Sequence, residues 1–424
     1  MPTDLFLLVL LVACFVALVL AAKLPVSLSL VITAATLSIA AGKGLPLAKL
    51  VEGMFGYLDV CLVLLSAMVF MKVIQANGLL GELTRRIILL FGHSPVLLLV
   101  ALTLIVMFPG AITGSCAASV LGAGVLVYPV LTQMGMPKTV AGAVIAMAAD
   151  FGMIAPPVNI PVMIIGGGID LPYIGFGLVL ALVTVPLAIL TTLIIGYRHV
   201  KKDSLKEIIE ANRSSQEVGG FLLYLPLLVV LVFMIGPKAF PRWFPDPRLP
   251  LTFLIGSTLG LFAGKKFQAI TEVRAAVNQI LPVVGILFGV GVLIEVMTYT
   301  GLRGAIVIGA LSLPHSLLIA GIAVILPIFG GISVYGGASV LGVPFALALL
   351  GQNPIVVIAA LSLIAAMGSY MPPVALTPVV TAQIICEPRY GRITRHCVLP
   401  VILTILVGAL MLVFANPLAK LLGV

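Results

Sequence analysis

Phe108-Pro109-Gly110-Ala111-Ile112-Thr113-Gly114-Ser115 lies inside Val96–Pro137, a run without any Asp, Glu, Lys or Arg. A membrane helix takes roughly 20 apolar residues to cross about 30 Å of hydrocarbon, so this run is long enough for more than one segment. Its middle cannot be plain helix. Pro109 lacks a backbone N–H and the glycines relax φ, which frees carbonyls beside the hydroxyls of Thr113 and Ser115. A hard cation such as Na+ takes neutral oxygens of this kind; half-helix N-termini could instead face an anion. Close packing or a simple kink is the competing explanation for Gly, Ser, Thr and Pro in a membrane helix.

Working outward, a second interruption follows at Ala155-Pro156-Pro157-Val158-Asn159. Tandem prolines cannot continue a regular helix, and Asn159 offers both an amide donor and an acceptor. The same motifs then recur. Ala118-Ser119-Val120-Leu121-Gly122 returns as Ala338-Ser339-Val340-Leu341-Gly342, a shift of 220. Gly152-Met153-Ile154-Ala155-Pro156-Pro157 returns as Gly368-Ser369-Tyr370-Met371-Pro372-Pro373, a shift of 216. Gly135 with Pro137 matches Gly351 with Pro354, and Gly78-Leu79-Leu80-Gly81 matches Gly301-Leu302-Arg303-Gly304. Four landmarks in one order mark two related halves, about 58–175 and 281–390. In the second half Phe329-Gly330-Gly331-Ile332-Ser333 and Met371-Pro372-Pro373 stand where the two breaks stood, with Thr377 as the nearby polar group. Secondary transporters built from duplicated halves hold substrate and ion near the midplane, at equivalent broken helices.

The remaining composition agrees. Hydrophobic residues make up 62% of the chain and charged residues 9%, against about half and a quarter in soluble domains. Uncharged runs of about one span recur at Leu5–Ala22, Leu24–Gly42, Leu171–Tyr197, Val218–Pro237, Ala275–Ile294 and Val398–Ala419, and Gly304–Cys386 is far longer. This predicts an all-α polytopic membrane protein with about 11–13 membrane segments, hairpins included. The alternating ten-residue strands of a β-barrel are not seen. Asp4 and the lack of a basic n-region argue that the N-terminus is a first span, not a cleaved signal. The net charge of +9 is not a nucleic-acid signal. It gathers in short loops (Arg85–Arg86, Arg198–Lys202, Lys265–Lys266, Arg389–Arg395), read as cytoplasmic under the positive-inside rule. The hydrophilic stretch Arg198–Arg213 reads as a helical connector between the halves. Five scattered cysteines and four isolated histidines give neither a disulfide framework nor a zinc site.

Ionisable residues inside apolar segments are functional hypotheses by default. Asp150, six residues before Pro156, could bind a cation, carry a proton, pair with a neighbour or border a water-filled cavity. Lys72 and Glu295 each lie six residues before the first glycine of the Gly-Leu-X-Gly landmark. They either pair with each other or serve separate interfacial contacts.

At these segments the chain resembles the large membrane subunit of tripartite ATP-independent periplasmic (TRAP) transporters of the C4-dicarboxylate and sialate type. The likeness is carried by Pro109 to Ser115, Gly122, Pro129, Gly135, Gly152 to Pro157, and the second-half element around Gly368 and Pro372-Pro373. It implies two inverted repeats arranged as a scaffold and an elevator-type transport domain. Residues 1–57 would be scaffold spans. Residues 58–175 would be the first repeat, with a re-entrant hairpin at about 106–130 and a broken helix at about 140–166. Residues 176–280 would connect the halves through a basic loop at 198–217. Residues 281–390 would be the second repeat, with its hairpin at about 325–347 and broken helix at about 355–381, and 391–424 a last span. Sodium and substrate would lie among Thr113, Gly114, Ser115, Asp150, Pro156, Pro157, Asn159, Gly330, Gly331, Ser333, Gly368, Met371, Pro372, Pro373 and Thr377, with Na+ the only metal, held by these same residues. Several positions depart from the family pattern and mark a divergent subgroup. Val158 stands where Ser is usual, Val374-Ala375 where Val-Gly is usual, and Lys72 where Glu is usual. The second hairpin returns through Val343-Pro344-Phe345.

The resemblance implies sodium-coupled uptake of a small organic acid across the bacterial inner membrane, with a small membrane subunit and a periplasmic substrate-binding protein as separate chains and no organic cofactor. The alternative is a stand-alone ion or organic-anion permease or channel without a binding protein. An intramembrane enzyme fits poorly, since no zinc motif or Ser/His pair is visible. No GxxxxGK[ST] phosphate loop supports ATP hydrolysis by this chain.

Overall fold

The structure is a computed structural model and describes residues 2–200, 205–214, 220–239, 247–311 and 314–424. Every regular element among the described residues is helical. The chain opens with α1 (Pro2–Val16), α2 (Val26–Ala40), α3 (Leu47–Phe55), α4 (Leu58–Ala76) and α5 (Leu79–Phe91). The first interrupted run folds as α6 (Pro95–Thr113), α7 (Cys116–Ser119), a π-helical turn (Val120–Gly124) and α8 (Val125–Gln133). α9 (Lys138–Met153) and α10 (Ile160–Gly168) flank the first tandem proline. Between the halves lie α11 (Phe176–Gly196), α12 (Leu205–Ser214), α13 (Leu225–Ala239) and α14 (Arg248–Gly260), while α15 (Ala269–Tyr299) runs into the second half and α16 (Leu302–Leu311) lies within it. The second half repeats the pattern: α17 (His315–Gly330), α18 (Val334–Gly337), a π-helical turn (Ala338–Gly342), α19 (Val343–Ala348), α20 (Pro354–Ala366), a 3-10 turn (Met367–Tyr370) and α21 (Leu376–Ile384). α22 (Gly391–Val413) and α23 (Ala415–Leu422) close the chain.

Prolines and caps set these boundaries. Pro25, Pro137 and Pro314 stand immediately before α2, α9 and α17, where a missing N–H costs nothing. Asn353 caps α20, its Oδ1 accepting from the N–H groups of Ile355 and Val356. The Gly-Leu-X-Gly landmark has a structural meaning too: Gly78 (φ 90°) and Gly301 (φ 81°) both turn through the left-handed region as the next helix begins.

Among the described residues, six helices are long and apolar enough to cross a bilayer: Leu58–Ala76, Pro95–Thr113, Cys116–Gln133, Phe176–His199, Ala269–Tyr299 and Gly391–Val413. Six shorter apolar helices accompany them, at Leu5–Ala21, Val26–Ala40, Phe221–Pro237, His315–Gly330, Val334–Ala348 and Pro354–Tyr370. The chain is a multi-pass membrane protein, as its composition requires.

The helices pack in two groups. α15, with 31 residues, is roughly 46 Å long at 1.5 Å per residue and runs against α2, α3 and α4; α14 joins α4 and α13. The other group is built on α9 and α20. Every residue from Val140 to Met153 and from Val356 to Ala366 is buried, as expected of helices apolar on all sides. α9 packs against α6, α11, α21 and α22, and α20 against α10, α17 and α22. Helices of the two halves thus interlock within one core.

α12 forms the expected helix of the connector and lies on α5. Residues 201–204 and 215–219, which include parts of the 198–217 loop and the start of the Val218–Pro237 run, lie outside the described residues. Lys72 and Glu295 do not pair. Glu295 Oε1 lies 3.1 Å from Lys49 Nζ, which also reaches Glu52 at 2.7 Å. Lys72 makes no ion pair among the described residues. The reason is packing: α3 lies along α15 and brings its own lysine to Glu295.

Candidate functional site

In the first half, α6 ends at Thr113, which is fully buried and whose hydroxyl donates to the Pro109 carbonyl at 2.7 Å. Gly114 turns the chain at φ 65°. Ser115 then caps the returning helix, its Oγ accepting from the Ala118 N–H at 3.3 Å. In the second half α17 ends at Gly330, Gly331 follows, and Ser333 caps α18 by accepting from the Gly336 N–H at 3.1 Å. Both interrupted runs are therefore helix–tip–helix elements with a serine cap at the same place.

The Pro-Pro breaks lie against these tips in the same way twice. The Val158 N–H donates to the Ala111 carbonyl at 3.0 Å, and the Val374 N–H to the Gly331 carbonyl at 3.3 Å. Pro156, Pro157 and Met371 are half-buried, while Pro372 and Pro373 are exposed. Both Pro-Pro bonds are cis. Behind each tip the helices touch backbone to backbone. A Cβ on Gly152 would stand 2.9 Å from Met107 Cα, with the Met107 carbonyl closer still; one on Gly368 would stand 2.5 Å from the Gly330 carbonyl carbon. Only glycine fits either crossing, which is why both halves carry it four residues before the tandem proline.

The breaks differ in how the next helix starts. Asn159 caps α10: its Oδ1 accepts from the Val162 N–H at 2.9 Å, and its Nδ2 donates to the Ile154 carbonyl at 2.7 Å and to Ser362 Oγ at 3.3 Å. In the second half Ala375 enters α21 with φ 43°, a left-handed conformation costly for a residue with a Cβ. A glycine would hold this conformation without that cost, and Ala375 leaves strain at the break.

The two tips meet. Tyr335, two residues beyond Ser333, donates its hydroxyl to the Gly114 carbonyl at 2.9 Å, with its Oη 3.7 Å from Met153 Sδ. Asp150 joins the halves a second time. It is fully buried, and its Oδ1 and Oδ2 lie 2.8 Å from Thr377 Oγ1 and 2.7 Å from Ser369 Oγ. The Asn159–Ser362 bond is a third link. Thr113, Gly114, Ser115, Asp150, Asn159, Ser333, Gly368 and Thr377 thus fall within one connected region, with Gly330, Gly331 and Met371 to Pro373 on its second-half side.

Sequence reasoning gave no role to Tyr335, Ser362, Ser369, Ser119 or Ser339. The last two hold fully buried hydroxyl oxygens without a hydrogen-bond partner. Ser119 sits four residues past its cap, just before the first π-helical turn, and Ser339 six residues past its cap, within the second; Ser119 Oγ faces Gly110. Their place in the repeated Ala-Ser-Val-Leu-Gly was the available signal. π-helical turns inside membrane helices often mark functional positions.

Thr113 and Asn159 spend their best polar groups on their own helices. Past the tips, Ser119 and Ser339 hold buried hydroxyl oxygens without a hydrogen-bond partner. No Lys, Arg or His lies in either helix–tip–helix element except His315, at the start of α17. What the arrangement offers chemically is neutral hydroxyl and carbonyl oxygens beside two helix breaks.

A family model described as "Tripartite ATP-independent periplasmic transporter, DctM component" matches residues 12–419. Among solved structures, the chain is similar to the YdaH transporter of Alcanivorax borkumensis, described as having an unusual topology. The identity is 17%, over 86% of this chain and 87% of that one, with a TM-score of 0.59. It is similar also to MtrF of Neisseria gonorrhoeae, from a class of antimetabolite efflux pumps, at 15% identity over 87% of this chain and 83% of that one, with a TM-score of 0.58. At such identities the likeness speaks for the fold alone. No curated protein matches the chain in sequence.

Proposed function

The chain belongs to the DctM component family of tripartite ATP-independent periplasmic transporters, a family of transporters and not of enzymes, and on that premise we propose that it couples sodium entry to uptake of a small organic acid across the bacterial inner membrane. The observation that carries this reading is the meeting of the two tips at Tyr335 and Gly114. Duplicated breaks that converge inside a membrane protein make a midplane site. The residues present fit sodium: Ser119 and Ser339 supply buried hydroxyl oxygens that lack partners, and the tip carbonyls add neutral donors. Sodium bound there would supply positive charge for an anionic substrate in a site without arginine. α10 and α21 begin at the breaks, and their N-termini favour a carboxylate.

Movement is read as elevator-like. The two halves are inverted repeats in this reading, and the core of α9 and α20 is carried past the group on α15. The Tyr57 hydroxyl, which donates to the Ile164 carbonyl at 2.7 Å, is one contact between the groups that such a movement would exchange. A small membrane subunit would cover part of the apolar outer surface, and a periplasmic binding protein would deliver the acid.

The test is reconstitution in liposomes with the small subunit and binding protein, using C4-dicarboxylates and sialate as probes under an imposed Na+ gradient. Uptake that saturates and needs both sodium and binding protein is the expected result. Flux that continues without either would instead support a stand-alone permease or channel.

A further inference from the structure

A cavity of about 520 Å³ opens between the end of α4, the first turns of α5 and the returning arm of the first hairpin. None of its lining residues belongs to the tips or to the Pro-Pro breaks. The lining changes character from one side to the other. Gln75, Arg85, Asn212 and Lys265 stand on the polar side, and Leu121, Val125 and Leu126 on the apolar one. These three apolar residues belong to the span Cys116–Gln133 and are exposed on it, so in a bilayer they face hydrocarbon.

The polar side lies at the membrane's edge. The Lys265 N–H donates to the Asn77 carbonyl at 3.0 Å, which fixes the Lys265–Lys266 loop beside the start of α5. Two basic loops that read as cytoplasmic under the positive-inside rule therefore form one rim. α12 adjoins it, the Asn212 carbonyl accepting from Arg85 Nη1 at 3.4 Å. Glu82 also lines the cavity, but it is buried and already held. Arg85 Nε and Nη2 each lie 2.9 Å from its oxygens, and Arg86 Nε lies 3.2 Å away. Lys265 makes no ion pair among the described residues. One acid thus stands against two bases in the lining, leaving a single positive charge.

We propose that this cavity holds the headgroup of an anionic phospholipid, its phosphate at the Lys265 and Arg85 end and an acyl chain along Leu121, Val125 and Leu126. A space of this size takes a drug-sized body: the phosphate and glycerol fit within it, and the long chains lie outside against the apolar wall. Basic pockets at the cytoplasmic edge of membrane helices attract anionic headgroups by the same charge. A free phosphate ion would use the basic rim alone and leave the apolar wall without a partner. So placed, the lipid lies between α4, of the group on α15, and the hairpin that packs on α9. The proposal needs the chain to sit in a bilayer and does not depend on what is transported.

Photo-crosslinking tests this. The purified full chain is placed in phosphatidylethanolamine nanodiscs doped with phosphatidylglycerol that carries a diazirine in one acyl chain near the glycerol, and labelled peptides are mapped by mass spectrometry. Labels concentrate at 121–126. Excess unlabelled phosphatidylglycerol competes for them and inorganic phosphate does not. Gly81 lines the cavity and has open space where a methyl group would stand, so Gly81→Leu fills the recess, keeps the fold and lowers the labelling several-fold. Lys265→Gln lowers the preference for phosphatidylglycerol over a phosphatidylethanolamine probe about fivefold, the worth of one lysine at a membrane surface. Labels spread evenly over the spans, equal labelling by both lipids, or full competition by inorganic phosphate would overturn the proposal. So would labelling that vanishes once the small membrane subunit is bound, which would give this surface to that protein. Uptake under a sodium gradient is a separate measurement, so either reading can fail alone.

Discussion

The hydroxyl of Tyr335, on the second half's hairpin, donates across 2.9 Å to the carbonyl of Gly114 at the tip of the first. A contact 221 residues long in sequence sets the distance between two elements that each could form alone. Tyr335→Phe removes only this hydroxyl. Such a bond is worth about 0.5–1.5 kcal/mol, so thermal unfolding of the purified chain should shift slightly downward. The sodium concentration for half-maximal uptake should rise several-fold, about fivefold for each 1 kcal/mol. An unchanged sodium dependence would show that the tips do not act together.

Gly152 and Gly368 sit where one helix crosses another without room for a methyl group. Alanine at either should destabilise the chain by about 1–3 kcal/mol, the usual cost of overpacking. Gly304, inside α16 with open space where a methyl group would stand, is the control, and its alanine variant should unfold at or slightly above the wild-type temperature. Equal melting temperatures for all three variants would contradict the close crossings.

Ala375 holds φ at 43° while fully enclosed at 1% exposure. Glycine there gives up one buried methyl, about 0.8 kcal/mol, and removes a left-handed penalty of about 1–2 kcal/mol, part of which returns as extra freedom in the unfolded chain. On balance Ala375→Gly should raise the unfolding temperature slightly. A lower one would mean that the backbone at this break is not strained.

Glu295 is fastened to Lys49 and not to Lys72. Glu52 first, then Glu295, hold the Lys49 ammonium above the ordinary lysine range. A lysine with a raised value contributes its stabilisation below its unfolded value and loses it as pH climbs through the folded one. The lysine's contribution should thus be insensitive to pH around neutrality and weaken in strongly alkaline solution. Glutamine substitutions in a double-mutant cycle should give a small coupling between 49 and 295 and none between 72 and 295. A coupling confined to 72 and 295 would reverse this assignment.

Much of the architecture was legible locally. The Pro109–Ser115 and Pro156–Asn159 segments announced broken helices because proline and glycine act on their own turn of backbone. The equivalence of Lys72 and Glu295 in the repeat was legible as well, but it left open whether they pair or serve separate contacts. A repeat gives each residue a counterpart in the other half; it does not say which neighbour comes within reach. Tyr335 was passed over for a related reason. Nothing in a Val-Tyr-Gly-Gly run shows that its ring crosses to the other hairpin.

By itself the sequence determined that this chain lives in a bilayer, that it is a duplicated helical protein, and where its helices break. Those properties follow from the cost of charge in hydrocarbon and from backbone chemistry at single residues, both of which act over a few positions. Only the tertiary structure decided that Tyr335 meets Gly114, that Ser369 and Thr377 enclose Asp150, and that Lys49 takes Glu295. Hydrogen bonds and ion pairs are short-ranged, and which partners come within 3 Å or so depends on how helix faces from distant parts of the chain pack together.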